Sequence, residues 1–249
     1  VGRLRNSLAI TSACTLAAGG YMYAAMWPDS QLFGRTLLAG TDPSTIVLTF
    51  DDGPNPGLTE PLLDVLAERG VRATFFLIGA FVRQHTGLVR RIYAEGHSIG
   101  NHTMHHPRLM WSSPARVREE LTACTAAIED ATGEQVRFLR PPHGARRPDV
   151  LRMARELGLT PVLWNATGHD WRASLTPAEI FSHCRAGIER NQRRRRGTNL
   201  LLHDGGPDAL TRGEAATDRR RTLAAVPLLL DHARAQGLRF QTVAQLALQ

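Results

Sequence analysis

Lysine is absent from this chain: all 30 of its basic residues are arginine. Set against 23 acidic residues, they give a formal charge of +7. A charge written in one residue type reads as compositional bias, so the high isoelectric point says little about partners. Cysteine is scarce. Cys14, Cys124 and Cys184 form no C-x-x-C pair, which excludes a zinc knuckle and a redox motif, and an odd count argues against a disulfide framework. Aromatic residues make up only 6% of the chain, and none falls in its densest basic run, "RNQRRRR" at 190–196. Nucleic-acid binding calls for a basic stripe with stacking aromatics or a known module, and neither is present. The run reads as a solvated loop, the alternative being contact with an anionic polymer or lipid headgroups. No internal repeat and no low-complexity linker interrupts the chain.

What is present suits one sizeable domain. The 249 residues are 43% hydrophobic, and α/β barrels reach this length as a single unit. Near the start, Arg3 and Arg5 precede "SLAITSACTLAAGGYMYAAMW" (7–27), a charge-free run of 21 residues. A membrane-spanning helix needs about 20, and Tyr21, Tyr23 and Trp27 suit an interfacial belt. Residues 1–27 are therefore expected to be a signal anchor or uncleaved signal helix in the cell membrane, with the catalytic domain extracytoplasmic (periplasmic or cell surface). The alternatives are a helix packed on the domain's own surface and a signal cleaved near Ala17 and Ala18, which would make the protein secreted. Residues 28–44 read as a connector to a domain spanning 45–249.

From residue 45, short apolar runs alternate with amphipathic ones. Strands are expected near 45–50, 73–79, 97–102, 136–141, 160–165, 198–203 and 238–243, and helices near 58–69, 80–95, 114–132, 147–157, 177–191 and 219–236. Thr59, Ser113 and Thr176 carry helix-entry signals, the last two followed by proline, and Gly70, Gly96, Gly133, Gly158 and Gly237 mark helix ends. The strands are continuous apolar runs, the pattern of a parallel sheet covered on both faces. Seven βα steps favour a barrel over an open sheet.

The chemistry gathers at strand ends. Asp51 and Asp52 ("TFDDGP") follow the first strand and His102 and His106 ("NHTMHH") the third. Arg140 ("RPPHG") ends the fourth, Asp170 and Trp171 ("GHDW") follow the fifth, and His203 and Asp204 ("LLHDG") end the sixth. The C-terminal rim of a parallel α/β fold is where active sites are built. With ten histidines in the chain, the H-x-x-x-H spacing is weak alone, and His105 reads as a solvated neighbour. Two imidazoles and one carboxylate nevertheless make an open zinc site. Successive strand residues face opposite ways, so Asp51 and Asp52 can both point inward only if the backbone twists, which the Gly-Pro turn is expected to allow. One carboxylate could then hold metal while the other takes a proton.

The ordered set "TFDDGP", "HTMHH", "RPPHG", "DW" and "LLHDG" resembles the polysaccharide deacetylase family, the NodB-homology domain of carbohydrate esterase family 4, over roughly residues 45–247. The resemblance implies a distorted TIM-like (β/α)7 barrel, here preceded by one N-terminal hydrophobic helix. It also implies removal of N-acetyl groups, sometimes O-acetyl, from sugar polymers with a divalent metal, usually zinc. By position, Asp52, His102 and His106 resemble the metal ligands, Asp51 the general base and Arg140 its partner. His203 resembles the general acid and Asp170 the carboxylate that tunes it. Trp171 and Leu201 resemble walls of the acetyl pocket, and the His143 backbone N–H an oxyanion donor. Position 143 is His where the family often has an aromatic, and Thr167 and Gly168 stand where many members have an acid. The implied partner is an acetylated amino-sugar polymer: peptidoglycan, a chitin-type chain or polyglucosamine. The alternatives are an esterase on O-acetylated polysaccharide and a catalytically silent sugar-binding protein.

Overall fold

The computed structural model describes residues 18–212 and 217–248. Helix α1 (18–26) comes first. Strand β1 (Thr45–Gly53) is buried along its whole length, as a strand with apolar side chains on both faces must be. It takes parallel partners on both edges. Strand β7 (Thr198–His203) runs beside Ile46–Asp51, while β8 (Arg239–Gln241) covers Thr45–Val47 and β2 (Thr74–Leu77) covers Thr49–Gly53. Beyond β2 follow β3 (Ser98–Asn101), β4 (Phe138–Leu139) and β5 (Thr160–Pro161), and beyond β7 lies β6 (Ala166–Thr167).

The edge strands β5 and β6 are consecutive in the chain. A flat sheet of seven strands would hold its edges about 29 Å apart. The chain from Pro161 to Ala166 reaches at most about 18 Å. The sheet must therefore curl, giving the distorted barrel the sequence predicts, and Leu37 bridges Val162 beside the gap. All the pairings are parallel, so every strand delivers its C-terminal end to one rim.

Helices α2 (Pro56–Glu68), α3 (Gly79–Gln84), α4 (Thr86–Ala94), α5 (Pro114–Thr132), α6 (Pro148–Glu156), α7 (Pro177–Arg193) and α9 (Arg220–Ala235) join the strands, with short α8 (Ala209–Arg212) and α10 (Val243–Leu246). Their apolar faces meet Leu48, Phe50, Phe75 and Leu200 of the sheet in one buried cluster. Ser113 and Thr176 cap α5 and α7 as expected, each with proline following.

Four details depart from the sequence reading. Asn55, not Thr59, caps α2, because Asn55 precedes Pro56 and accepts the Gly57 N–H; Thr59 lies inside the helix. The helix expected over 80–95 breaks at His85, whose backbone (φ −126°, ψ 45°) is not helical. The strand expected over 160–165 divides into β5, paired with β4, and β6, paired with β7. The basic run is a loop only at its end: residues 190–193 close α7, Arg194 is its C-cap, and Arg195 and Arg196 lie in the turn beyond.

The expected membrane span, 7–27, falls largely on residues 1–17, outside the described residues. Its described part packs against the protein itself. Ala24 and Ala25 are buried, Ala25 against Met110 and Ala145, and among the described residues no helix is long and apolar enough to cross a membrane. The reason for this docking is Arg146, which is 1% exposed. Its guanidinium donates to the carbonyls of Ala25 (3.3 Å), Gly144 (3.0 Å), Trp27 (2.8 Å) and Ser30 (2.7 Å). Burial lowers its pKa only to about 10, so the cation persists at neutral pH.

Replacing Arg146 by Met would strand the Gly144 and Ser30 carbonyls, at about 1–3 kcal/mol each if left unpaired, whereas those of Ala25 and Trp27 keep the backbone N–H groups of Arg146 and Ser30. Arg146→Met is expected to destabilise the fold by about 3 kcal/mol in denaturant unfolding and to expose the 18–30 segment to protease. A loss below about 0.5 kcal/mol would mean that solvent replaces the guanidinium.

Candidate active site

Adjacent carboxylates on a strand should face opposite ways, yet Asp51 and Asp52 reach one pocket. The strand bulges between Asp51 and Gly53 in its pairing with β2, and Asp52 itself adopts a left-handed backbone, φ 74°. The twist thus begins one residue before the Gly-Pro turn expected to supply it. Gly205 permits this geometry: a Cβ there would stand 2.1 Å from the Asp52 carbonyl oxygen, so only glycine lets the two rim segments touch.

Asp52 meets both expected histidines. Its Oδ1 lies 3.2 Å from His102 Nε2 and 3.2 Å from His106 Nε2. Ligand atoms of the three residues fall within 4.8 Å of one another. The His102 Nδ1–H donates to the Arg140 carbonyl at 2.7 Å, which leaves Nε2 as the lone-pair nitrogen facing the cluster. Burial would raise the Asp52 pKa, but His106, His102 and His203 outweigh it and hold the carboxyl well below its usual range. Asp52 Oδ1 is buried without a hydrogen-bond partner. An ionised, otherwise unsatisfied carboxylate oxygen facing two imidazole nitrogens is the donor set of an open divalent-metal site, and these residues fit such an ion.

Asp51 is held separately. Arg140, 0% exposed, donates to Asp51 Oδ1 (2.7 Å), Thr49 Oγ1 (2.6 Å) and Asn199 Oδ1 (3.3 Å). Its guanidinium carbon sits 4.1 Å from the Phe76 ring centroid. The other Asp51 oxygen, Oδ2, lies 3.7 Å from His102 Nε2.

Across the pocket, Asp170 clamps His203. Asp170 Oδ1 lies 2.9 Å from His203 Nδ1, while Oδ2 accepts the His203 N–H at 2.8 Å and the Thr222 hydroxyl at 2.9 Å. Burial favours the neutral imidazole, but Asp170, then Asp52 and Asp51, lift its pKa from 6.5 to about 9. Trp171 packs edge-on to His203, ring centroids 5.6 Å apart. His143 occupies a left-handed turn, φ 57°, with its ring 4.8 Å from that of His106. All of these except the deeply buried Arg140 and Asp170 line one cavity of about 420 Å³, with Leu201 and Trp164 in its wall. Every site residue named from the sequence therefore stands in this cavity or directly behind it.

Sequence reasoning missed several supports. Glu120, a buried carboxylate on the inner face of α5, accepts the His105 N–H at 2.8 Å, lies 2.9 Å from His105 Nδ1 and pairs with Arg116. It thereby pins the segment between His102 and His106, and His105, 51% exposed as a solvated neighbour would be, also serves as its tether. Asn101 does the same from the other end, accepting the Thr103 N–H at 2.7 Å and donating to the Leu121 carbonyl and Thr125 hydroxyl. Asp204 takes a hydrogen bond from the Thr59 hydroxyl, and burial raises its pKa to about 7. A charged residue beside Val117, Leu121 and Cys124 on an apolar helix face was the available signal for Glu120. Trp164 carried none.

Together the curled parallel barrel and this carboxylate–imidazole constellation define an α/β-barrel hydrolase. Residues 39–162 match the model of the polysaccharide deacetylase family. The chitooligosaccharide deacetylase of Bradyrhizobium sp. (strain ANU 289) is 39% identical over 204 residues, covering 81% of this chain and 90% of that protein. The peptidoglycan-N-acetylglucosamine deacetylase of Bacillus cereus is 36% identical over 203 residues, 81% and 87% of the two chains. A solved peptidoglycan N-acetylglucosamine deacetylase superposes with a TM-score of 0.74 at 27% identity, covering 85% of this chain and 92% of its own. The chain belongs to the polysaccharide deacetylase family.

The purified chain is expected to bind one divalent metal ion at this cluster. Asp52→Asn should weaken that binding at least about 100-fold, and Glu120→Gln about 10- to 100-fold through loss of the loop's anchor, as read by chelator competition. Unchanged affinity in both would remove this cluster as the metal site.

Proposed function

We propose that the chain is a metal-dependent hydrolase removing N-acetyl groups from an N-acetylglucosamine-containing polysaccharide. One observation carries the reading: a buried carboxylate locked by an arginine and an imidazole locked by a carboxylate flank the same Asp-His-His cluster in one cavity. A binding protein has no use for that opposed pair.

Asp52, His102 and His106 would hold the divalent ion, taken to be zinc from the mixed nitrogen and oxygen donors. Such an ion polarises an acetamide carbonyl and makes water a nucleophile at neutral pH. Asp51 takes the proton of the attacking water. Arg140 fixes which Asp51 oxygen faces inward, because it occupies Oδ1 and leaves Oδ2 towards the cluster. The His143 backbone N–H is the proposed oxyanion donor, worth about 3 kcal/mol to the transition state. Leu201 and Trp171 enclose the acetyl methyl. His203 is cationic at neutral pH because its pKa stands near 9, and it gives its proton to the amine nitrogen as the C–N bond breaks. Asp170 keeps that proton in place.

Acetate release from N-acetylglucosamine oligomers and peptidoglycan tests the reading. Release should vanish on chelation and return with zinc. Asp51→Asn and His203→Ala should each lower kcat by about 100-fold or more with the fold retained; turnover near wild type in either would remove that residue from its role. The pH profile gives a separate check. His203 acts only while protonated, so the rate should fall as pH rises through its pKa. Asp170→Asn removes the main stabiliser of the imidazolium and should move that alkaline limb down towards the ordinary 6.5. An unmoved limb would assign it to another group.

A further inference from the structure

Beside the catalytic pocket lies a second, larger cavity of about 720 Å³. The two share a wall, since Trp164 and Trp171 line both. A polymer with one acetamide over Asp52 can therefore continue past Trp171 into the second cavity. The far side is built from the docked N-terminal segment, whose Tyr23 and Trp27 rings stack 6.0 Å apart at 21°. Both are about half exposed, at 49% and 57%. They offer a flat apolar platform of the size of a sugar ring.

The opposite side is cationic. Arg190 and Arg194, from the end of α7, both line the cavity. Arg190 donates to the Asn165 carbonyl at 2.7 Å, which leaves its charge unneutralised. Among the described residues neither guanidinium meets a carboxylate. The one acid on the wall, Asp29, is engaged by Arg196 at 3.2 Å. His169 and His183 pack edge-on, 5.2 Å apart, and the Nδ1 of each is buried without a hydrogen-bond partner. The cavity thus presents two forked cations and an aromatic platform.

From this we infer that the second cavity is a binding subsite for a carboxylate-bearing sugar adjoining the one that is deacetylated. The ring lies on Tyr23 and Trp27, and its carboxylate is held by Arg190 and Arg194. A guanidinium meets a carboxylate through two parallel hydrogen bonds. A neutral chitin-type chain would leave both cations unused. The inference rests on the deacetylase reading and narrows it to an acidic amino-sugar polymer. It also gives part of the basic run at 190–196 a task.

The test compares kcat/KM for acetate release from a chitin-type oligomer and from a peptidoglycan glycan strand of matched length, using the full chain loaded with zinc. Wild type should favour the acidic strand, and added salt should erode that preference. Arg194→Gln, which spares the Asn165 contact, should cut kcat/KM on the acidic strand about tenfold while the neutral oligomer stays within about twofold. Equal losses on both substrates, or no loss on either, would overturn the subsite. Calorimetric binding of the same two oligomers to chelated protein separates the two readings. Acidic preference in binding that disappears in Arg194→Gln, with no acetate released from either polymer, keeps the subsite and removes the deacetylase reading. No acidic preference in binding removes the subsite whatever the turnover.

Discussion

The contact between Arg140 and Asp51 is the constraint on which the site depends. Both charges are almost wholly removed from water, where an unpaired ion costs several kcal/mol. Neither can stay without the other. The guanidinium gathers Thr49 and Asp51 of β1 and Asn199 of β7, and it rests on Phe76 of β2. Its own backbone carbonyl accepts from His102. One residue therefore sets the direction of the Asp51 carboxylate and the tautomer of His102. It does so from the end of β4, reaching across the barrel interior to β1 and β7, where packing leaves little room for drift.

Around that centre the backbone is held in uncommon shapes. Asp52, Thr103, His106, His143 and His169 all have positive φ without being glycine. Such positions are rare and cost of order 1–3 kcal/mol each. Here they collect at the two cavities and in the histidine loop. The surrounding polar anchors are what sustain them: Asn101 and Glu120 for the histidine loop, the Gly205 contact for Asp52, and Arg146 for the turn that carries His143.

The parts legible in the sequence are those with a local signature. An uninterrupted apolar run such as "TIVLTF" announces a strand buried on both faces, and a reactive residue at its end announces the rim. Ser113 and Thr176 are legible because a cap followed by proline is a local pattern. What escaped depends on distant partners. Arg146 looks like any arginine of "GARR" until the carbonyls of residues 25–30 close around it. Thr59 is a different case: Asn55, followed by Pro56, carries the same local pattern and takes the Gly57 N–H, while the Thr59 hydroxyl turns to Asp204. The division of 160–165 follows from barrel closure, a demand of the whole sheet that no window of sequence contains. In the described part of the 7–27 run, apolar character serves packing on the protein itself, with Ala25 against Met110 and Ala145.

The left-handed backbone at Asp52 restricts what can ever stand there. Asn, Asp and Gly adopt positive φ most readily, and a residue branched at Cβ, such as Thr103, does so only at greater steric cost. Among these only Asp brings a full negative charge. On the proposed metal-binding role, residue choice at this position is constrained twice over, once by ligand chemistry and once by steric fit.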